Sequence, residues 1–202
     1  MRKYYLLLLL FILGVVISGI QPHDYFTWFL EVFPALLGAM VLIVTFEKFR
    51  FTYSIYVLIL LHAIVLFIGG HYTYAEVPLF DSIRDALGQQ RNNYDKVGHF
   101  MQGFVPAAII RELLVRRNIV GNRSWLPFLV LCICMTISVC YEFLEWAVAF
   151  ATGTASEDFL GTQGYVWDTQ SDMLYAAIGA ITFLLLFHKW HDRKMIREME
   201  TA

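Results

Sequence analysis

Three stretches of this 202-residue sequence set carboxylates and an imidazole at spacings suited to proton transfer or cation binding: Asp95, Lys96 and His99, then Glu142 and Glu145, then Asp168 and Asp172. On a helix, residues three, four or seven apart share a face. Asp95, His99 and Gln102 obey that rule, as do Glu142 and Glu145, and Asp168, Asp172 and Tyr175. Each stretch offers one polar stripe, and successive helices joined by compact connections are usually neighbours. Five carboxylates and one imidazole are therefore expected to share a small volume. Like charges that close cannot all stay ionised without compensation. Some protonate, bases neutralise them, or a metal ion binds. Lys96, Arg84 and Arg91 are the nearby bases and could cover part of the charge, leaving a divalent cation for the rest. Carboxylates with histidine suit magnesium, manganese or zinc without choosing among them.

A metal held there would polarise a phosphoryl or carbonyl oxygen and activate a water, with a carboxylate or His99 moving the proton. Asp95, His99, Glu142, Glu145, Asp168 and Asp172 are the candidate metal ligands. His99, Glu142, Glu145 and Asp172 are the candidate catalytic groups, Lys96 and Arg91 would steady an anionic substrate, and His71 and Glu76 could add ligands or bind substrate. The plainer alternative is capping, since Asp95 and Asp168 open helices where the dipole favours negative charge. It does not explain Glu142 and Glu145, which lie toward a helix C-terminus and need a partner there.

The elements that position these residues are apolar. The chain is 58% hydrophobic and 16% charged, and about 20 apolar residues of helix cross a hydrocarbon core. Six windows qualify, at residues 4–20, 28–46, 51–70, 97–115, 125–150 and 172–190. The expectation is a single all-α domain over residues 1–202, an integral membrane bundle of six transmembrane helices, with the site-bearing part at 71–180. The first window lacks a small-x-small cleavage site and reads as an uncleaved anchor. Twelve of the fifteen lysines and arginines fall on one side; only Arg84, Arg91 and Lys96 fall on the other. By the positive-inside rule both termini are cytoplasmic and the acidic stripes are extracytoplasmic. This charge distribution is explained by topology and implies no nucleic-acid partner.

Two long outer segments, 71–96 and 151–169, flank the acidic helices, and loops of that length are usually functional or disordered. The first contains a short interfacial helix at 81–87 with Ser82 as its cap; the second carries Gly161 and Gly164, suited to tight turns. Cys132, Cys134 and Cys140 read as buried thiols, since their spacing suits neither zinc nor a disulfide. His62 reads as a neutral imidazole bonded to a neighbouring helix, and Glu31 as a snorkelling interfacial residue. Pro106 is expected to kink its helix and free a carbonyl. Arg111 and Glu112 form a salt bridge or snorkel, His188 and His191 solvate a basic tail, and Ala176 and Ala180 around Gly179 mark close helix packing.

The strings HYTYAEVP at 71–78, NNYDKVGHFMQGFVPA at 92–107, YEFLEW at 141–146 and FLGTQGYVWDTQSDM at 159–173 resemble the YjdF-type inner-membrane proteins, a bacterial family of uncharacterised function. A fainter similarity, carried by Asp95, Lys96, His99 and Phe100 with the later Asp168 and Asp172, is to the VanZ-like membrane proteins. It departs after Glu145, where Trp146 follows and no glutamine stands in the usual place. These resemblances imply a multi-pass protein of the bacterial plasma membrane with a role in the cell envelope. The functional expectation is a protein that works among membrane lipids, binding or processing a lipid-linked or phosphate-bearing envelope amphiphile as a metal-dependent hydrolase or transferase. The alternatives are a proton- or ion-coupled carrier, whose carboxylates would load and release protons, and a non-catalytic scaffold.

Overall fold

The computed structural model describes residues 1–153 and 157–200, so the expected second outer segment lies outside the described residues at 154–156. Every regular element among the described residues is helical. Among the described residues nine α-helices follow one another: α1 Arg2–Ser18, α2 Tyr25–Thr45, α3 Tyr53–Tyr72, α4 Pro78–Leu87, α5 Tyr94–Arg116, α6 Leu126–Thr152, α7 Glu157–Leu160, α8 Asp168–Thr182 and α9 His188–Glu200. A π turn at Phe183–Phe187 joins α8 to α9 without a break.

Among the described residues four stretches are long and apolar enough to cross a membrane: Tyr25–Thr45, Tyr53–Tyr72, Arg123–Thr152 and Asp168–Glu200. Helices α1 and α5 fall outside that set for different reasons. α1 is only 17 residues long, and Leu6, Leu9 and Ile12 point outward from the bundle. α5 is long enough but carries Asp95, Lys96, His99, Arg111 and Glu112, all buried. It can do so because α3, α6 and α8 pack around it, so its polar groups meet neighbouring helices. The apolar belt of α1 and α2, with Leu13, Ile17, Met40 and Val44 exposed, faces outward instead.

Close packing of α5 on α8 sets the geometry. A Cβ on Gly103 would overlap the carbonyl of Ala176, and one on Gly179 would overlap the carbonyl of Phe100. Small residues let backbones approach this closely in bilayers, where apolar burial gives little drive for association. Ala176 and Ala180 are fully buried at this contact, as the sequence implies. Below it lies a dry core of Phe104, Val105, Ala107, Ala108, Val130 and Phe183. α5 continues as a helix through Pro106.

At the basic end, Glu112 is fully buried and accepts hydrogen bonds from the Thr52 amide and hydroxyl, each at 2.8 Å, and from Arg116 at 2.7 Å. His191 Nε2 lies 2.8 Å from its second oxygen. His191 therefore does not solvate a tail: it is fully buried and ties α9 to α5. Arg111 pairs with Asp192 at the same junction. Of the three cysteines only Cys134 is buried; Cys132 and Cys140 sit on the exposed face of α6.

The short helix of the first outer segment begins at Pro78, three residues before its expected start. Proline suits the first helical position because its missing N–H is an orphan there. Ser82 does not cap it, since its hydroxyl donates to the Pro78 carbonyl at 3.1 Å. Gly88, at φ +61°, closes the helix in the left-handed conformation.

Candidate functional site

The first turns of α5 and α8 meet at the end of the bundle opposite the basic one. There Lys96 sits among three carboxylates. Its Nζ is 3.2 Å from Asp95 Oδ2 and 3.1 Å from Asp168 Oδ1, and it donates to Asp172 Oδ1. Arg91 adds a second cation, donating to Asp168 and to the Gly161 carbonyl at 3.3 Å, with Asp95 Oδ2 at 3.5 Å. The Tyr165 ring lies over both, 5.3 Å from the Arg91 guanidinium carbon and 5.9 Å from Lys96 Nζ. Lys96 is only 7% exposed. Buried charges of this kind are tolerated when paired and fully bonded, and Asp168 also gains from the N-terminal dipole of α8.

His99 stands one turn below. Its Nε2 is 3.1 Å from Asp95 Oδ1 and 3.8 Å from Asp172 Oδ1; its Nδ1 is 3.2 Å from Gln102 Oε1 and 3.9 Å from Glu142 Oε1. Both ring nitrogens face oxygen, so both can donate only when the ring carries two protons. Asp95 fixes the ring orientation, and Glu142 Oε1 is buried with no hydrogen-bond partner among the described residues.

The other side of His99 opens on a cavity of about 220 Å³ lined by residues of α2, α3, α5, α6 and α7. Glu31, His62, Asp95, His99, Gln102 and Glu145 line it, with Tyr74 and Tyr141. Glu31 is 4% exposed and is reached by the Tyr141 hydroxyl at 3.5 Å. Burial, with Glu31 next in weight, pushes the Tyr74 phenol well above its ordinary range, so it remains a neutral donor.

The sequence-derived candidates thus divide into two groups and a remainder. Asp95, Asp168 and Asp172 gather around Lys96, while His99 joins them to Glu142 and, across the cavity, to Glu145. Lys96 and Arg91 are turned into the carboxylate cluster and do not line the cavity, so they do not present free charge to an anionic substrate there. His71 and Glu76 are held elsewhere. His71 Nδ1 lies 3.0 Å from the Ser18 carbonyl, and Glu76 is 3.5 Å from His23 on the surface. Glu31, expected at the interface, and His62, expected as a structural imidazole, both line the cavity. An ionisable group within an apolar span was the available signal. Tyr74 and Tyr141 had none beyond their aromatic character.

The two outer segments are stitched together through Asn92 and Gln163. The Asn92 amide donates to Gln163 Oε1 and Gln163 Nε2 donates to the Asn92 carbonyl, both at 2.9 Å. Asn92 Nδ2 also reaches the Val77 carbonyl and Asp81 Oδ1, each at 3.0 Å. Gly161 and Gly164, at φ +59° and +79°, supply the turn that brings Gln163 there.

Asp95, His99 and Asp172 each offer one atom within 4.8 Å of the other two, a spacing compatible with a shared metal ion. Lys96 already bonds Asp172 Oδ1 and Asp95 Oδ2. An ion using those oxygens must displace its ammonium group.

A family model described as "Predicted membrane protein (DUF2238)" matches residues 3–193. The "Inner membrane protein YjdF" of Escherichia coli (strain K12) is 46% identical over 183 residues, 91% of this chain and 88% of that protein. No solved structure matches the chain. These matches agree with the YjdF-type resemblance in the sequence and do not extend to the VanZ-like one.

Proposed function

We infer that this chain, which belongs to the DUF2238 family of predicted membrane proteins, binds the polar head of an envelope amphiphile and acts on it by proton transfer at His99. It is a multi-pass protein of the bacterial inner membrane, and its relative is an inner membrane protein. In this reading α1 and α5 join the four long apolar stretches as spans, both termini are cytoplasmic, and the cavity lies toward the outer leaflet. The distribution of twelve basic residues on one side supports that orientation.

The observation that carries the reading is the cavity itself. It sets an imidazole oriented by a buried aspartate beside further carboxyl and phenol groups. His99 moves the proton to or from a head-group oxygen. Asp95 positions the ring, and Glu142 or Glu145 is the second acid-base group. A carrier would need a polar path onward, and the packed apolar core below Gln102 offers none.

The second reading adds a divalent cation at Asp95, His99 and Asp172, favoured by the closeness of their donor atoms. Elemental analysis of detergent-purified protein and of the Asp172→Ala variant separates the two. One equivalent of metal, lost in the variant, selects the metal-assisted form.

The reading as a whole is tested by native mass spectrometry of protein purified from its own membrane. A bound amphiphile is expected in the natural sequence and absent in His99→Ala. The same adducts in both, or none in either, would overturn it.

A further inference from the structure

The cavity lining carries more acid than base. Glu31, Asp95 and Glu145 contribute three carboxyls, His62 and His99 two imidazoles, and Tyr74, Tyr141 and Gln102 neutral polar groups, with no lysine or arginine among the described residues that line it. The two bases nearest in sequence, Arg91 and Lys96, are engaged with Asp168, Asp172 and the far side of Asp95. His99 is taken up by Asp95 and Gln102. Glu31, almost wholly buried, is met by the phenols of Tyr141, at 3.5 Å, and Tyr74, and no lysine or arginine contacts it among the described residues. A buried carboxylate without a base takes up either a proton or a cationic ligand.

Resting on the reading above, we propose that this cavity receives a primary ammonium group, that of an amine-bearing amphiphile head, with Glu31 and Glu145 as its countercharge. An ammonium head presents three donors, which suits two carboxylates and a tyrosine oxygen. About 220 Å³ is room for a head of a few heavy atoms, since a water molecule occupies roughly 30 Å³. It cannot hold the acyl chains, which stay in the bilayer. A phosphate or glycerol head offers the lining no positive charge.

The test is thermal stabilisation of the detergent-solubilised full chain by short-chain phosphatidylethanolamine, beside phosphatidylglycerol of the same chain length, ethanolammonium chloride and magnesium chloride. The ethanolamine lipid is expected to raise the midpoint saturably and its glycerol counterpart not to. Glu31→Gln should weaken the apparent affinity by about 30-fold or more, the effect of removing one partner of a buried charge pair. Glu145→Gln, on a different helix, gives the same readout if the first variant does not fold. Stabilisation by ethanolammonium alone, lost in Glu31→Gln, supports the ammonium site with a free amine as ligand. Equal or better binding of the glycerol lipid, or a Glu31-dependent response to magnesium alone, overturns the proposal. If an amphiphile binds in a His99-dependent way but without preference for the amine, this inference fails and the functional reading stands. If none binds, both fail.

Discussion

Replacing Lys96 by methionine removes the ammonium that three aspartates share while keeping most of the side chain's volume. In the natural protein Asp95, Asp168 and Asp172 face Lys96, Arg91 and the His99 ring. Without Lys96 the three carboxylates retain Arg91, which contacts Asp168 and Asp95 but not Asp172, and the nearest basic group left to Asp172 among the described residues is His99 at 3.8 Å. Breaking a buried ion pair on one side destabilises by about 3–5 kcal/mol. At roughly 2–4 °C per kcal/mol for a chain of this size, the melting midpoint should fall by about 6–20 °C. The deficit should depend on pH with a definite sign. The folded variant, crowded with carboxylates, takes up more protons than its unfolded chain, so its stability declines as pH rises. Fluorescence-detected size exclusion after heating, at pH 5 and pH 8, reads both quantities. The loss should be larger at pH 8, and Lys96→Met with Asp172→Asn should recover part of it. A midpoint unchanged at both values, or an equal loss at both with no recovery in the double variant, would refute the claim that Lys96 neutralises the cluster.

Further outcomes follow from the same geometry. Gly103→Ala and Gly179→Ala each drive a methyl into the facing backbone and should destabilise by about 1–3 kcal/mol or more, whereas Gly38→Ala, with open space around it, should be neutral or slightly stabilising; melting midpoints in one detergent decide this. His191→Ala leaves Glu112 without one of its partners, so limited proteolysis should cut α9 sooner than in the natural protein while the rest resists. Gln163→Ala breaks both bonds to the Asn92 backbone and should speed hydrogen exchange at residues 89–93 with little change in the global midpoint. Cys132 and Cys140 face outward along an apolar helix, so a membrane-impermeant maleimide should leave them unlabelled in vesicles and label them after denaturation.

The convergence of Asp95, His99, Glu142, Asp168 and Asp172 was legible because helical spacing fixes a face and helix ends fix a depth. That Lys96 could cover part of this charge was legible too, but not how deeply it is buried: the close contact of α5 with α8, permitted by Gly103 and Gly179, folds its stem inward onto two residues over seventy positions away and leaves it no charge to offer an anionic substrate. Glu31 and His62 were visible as ionisable groups inside spans. That they share a cavity with His99 depends on α3 lying against α5, and on α2 packing on α3 and α7 with Glu31 reached by Tyr141 of α6, a choice of neighbours that local periodicity does not encode. His191 was misplaced for a similar reason. A charged tail predicts solvent, and only the buried Glu112 on another helix makes its imidazole an interior group.

Whether the cavity beside His99 holds the head of an amphiphile is decided by photo-crosslinking. A phosphatidylethanolamine analogue with a diazirine on the head, irradiated with the protein in nanodiscs, should label peptides containing residues 31–34 and 137–145, and this labelling should drop in Glu31→Gln. Label spread over the exposed faces of α1 and α2, unchanged by that substitution, would contradict the account.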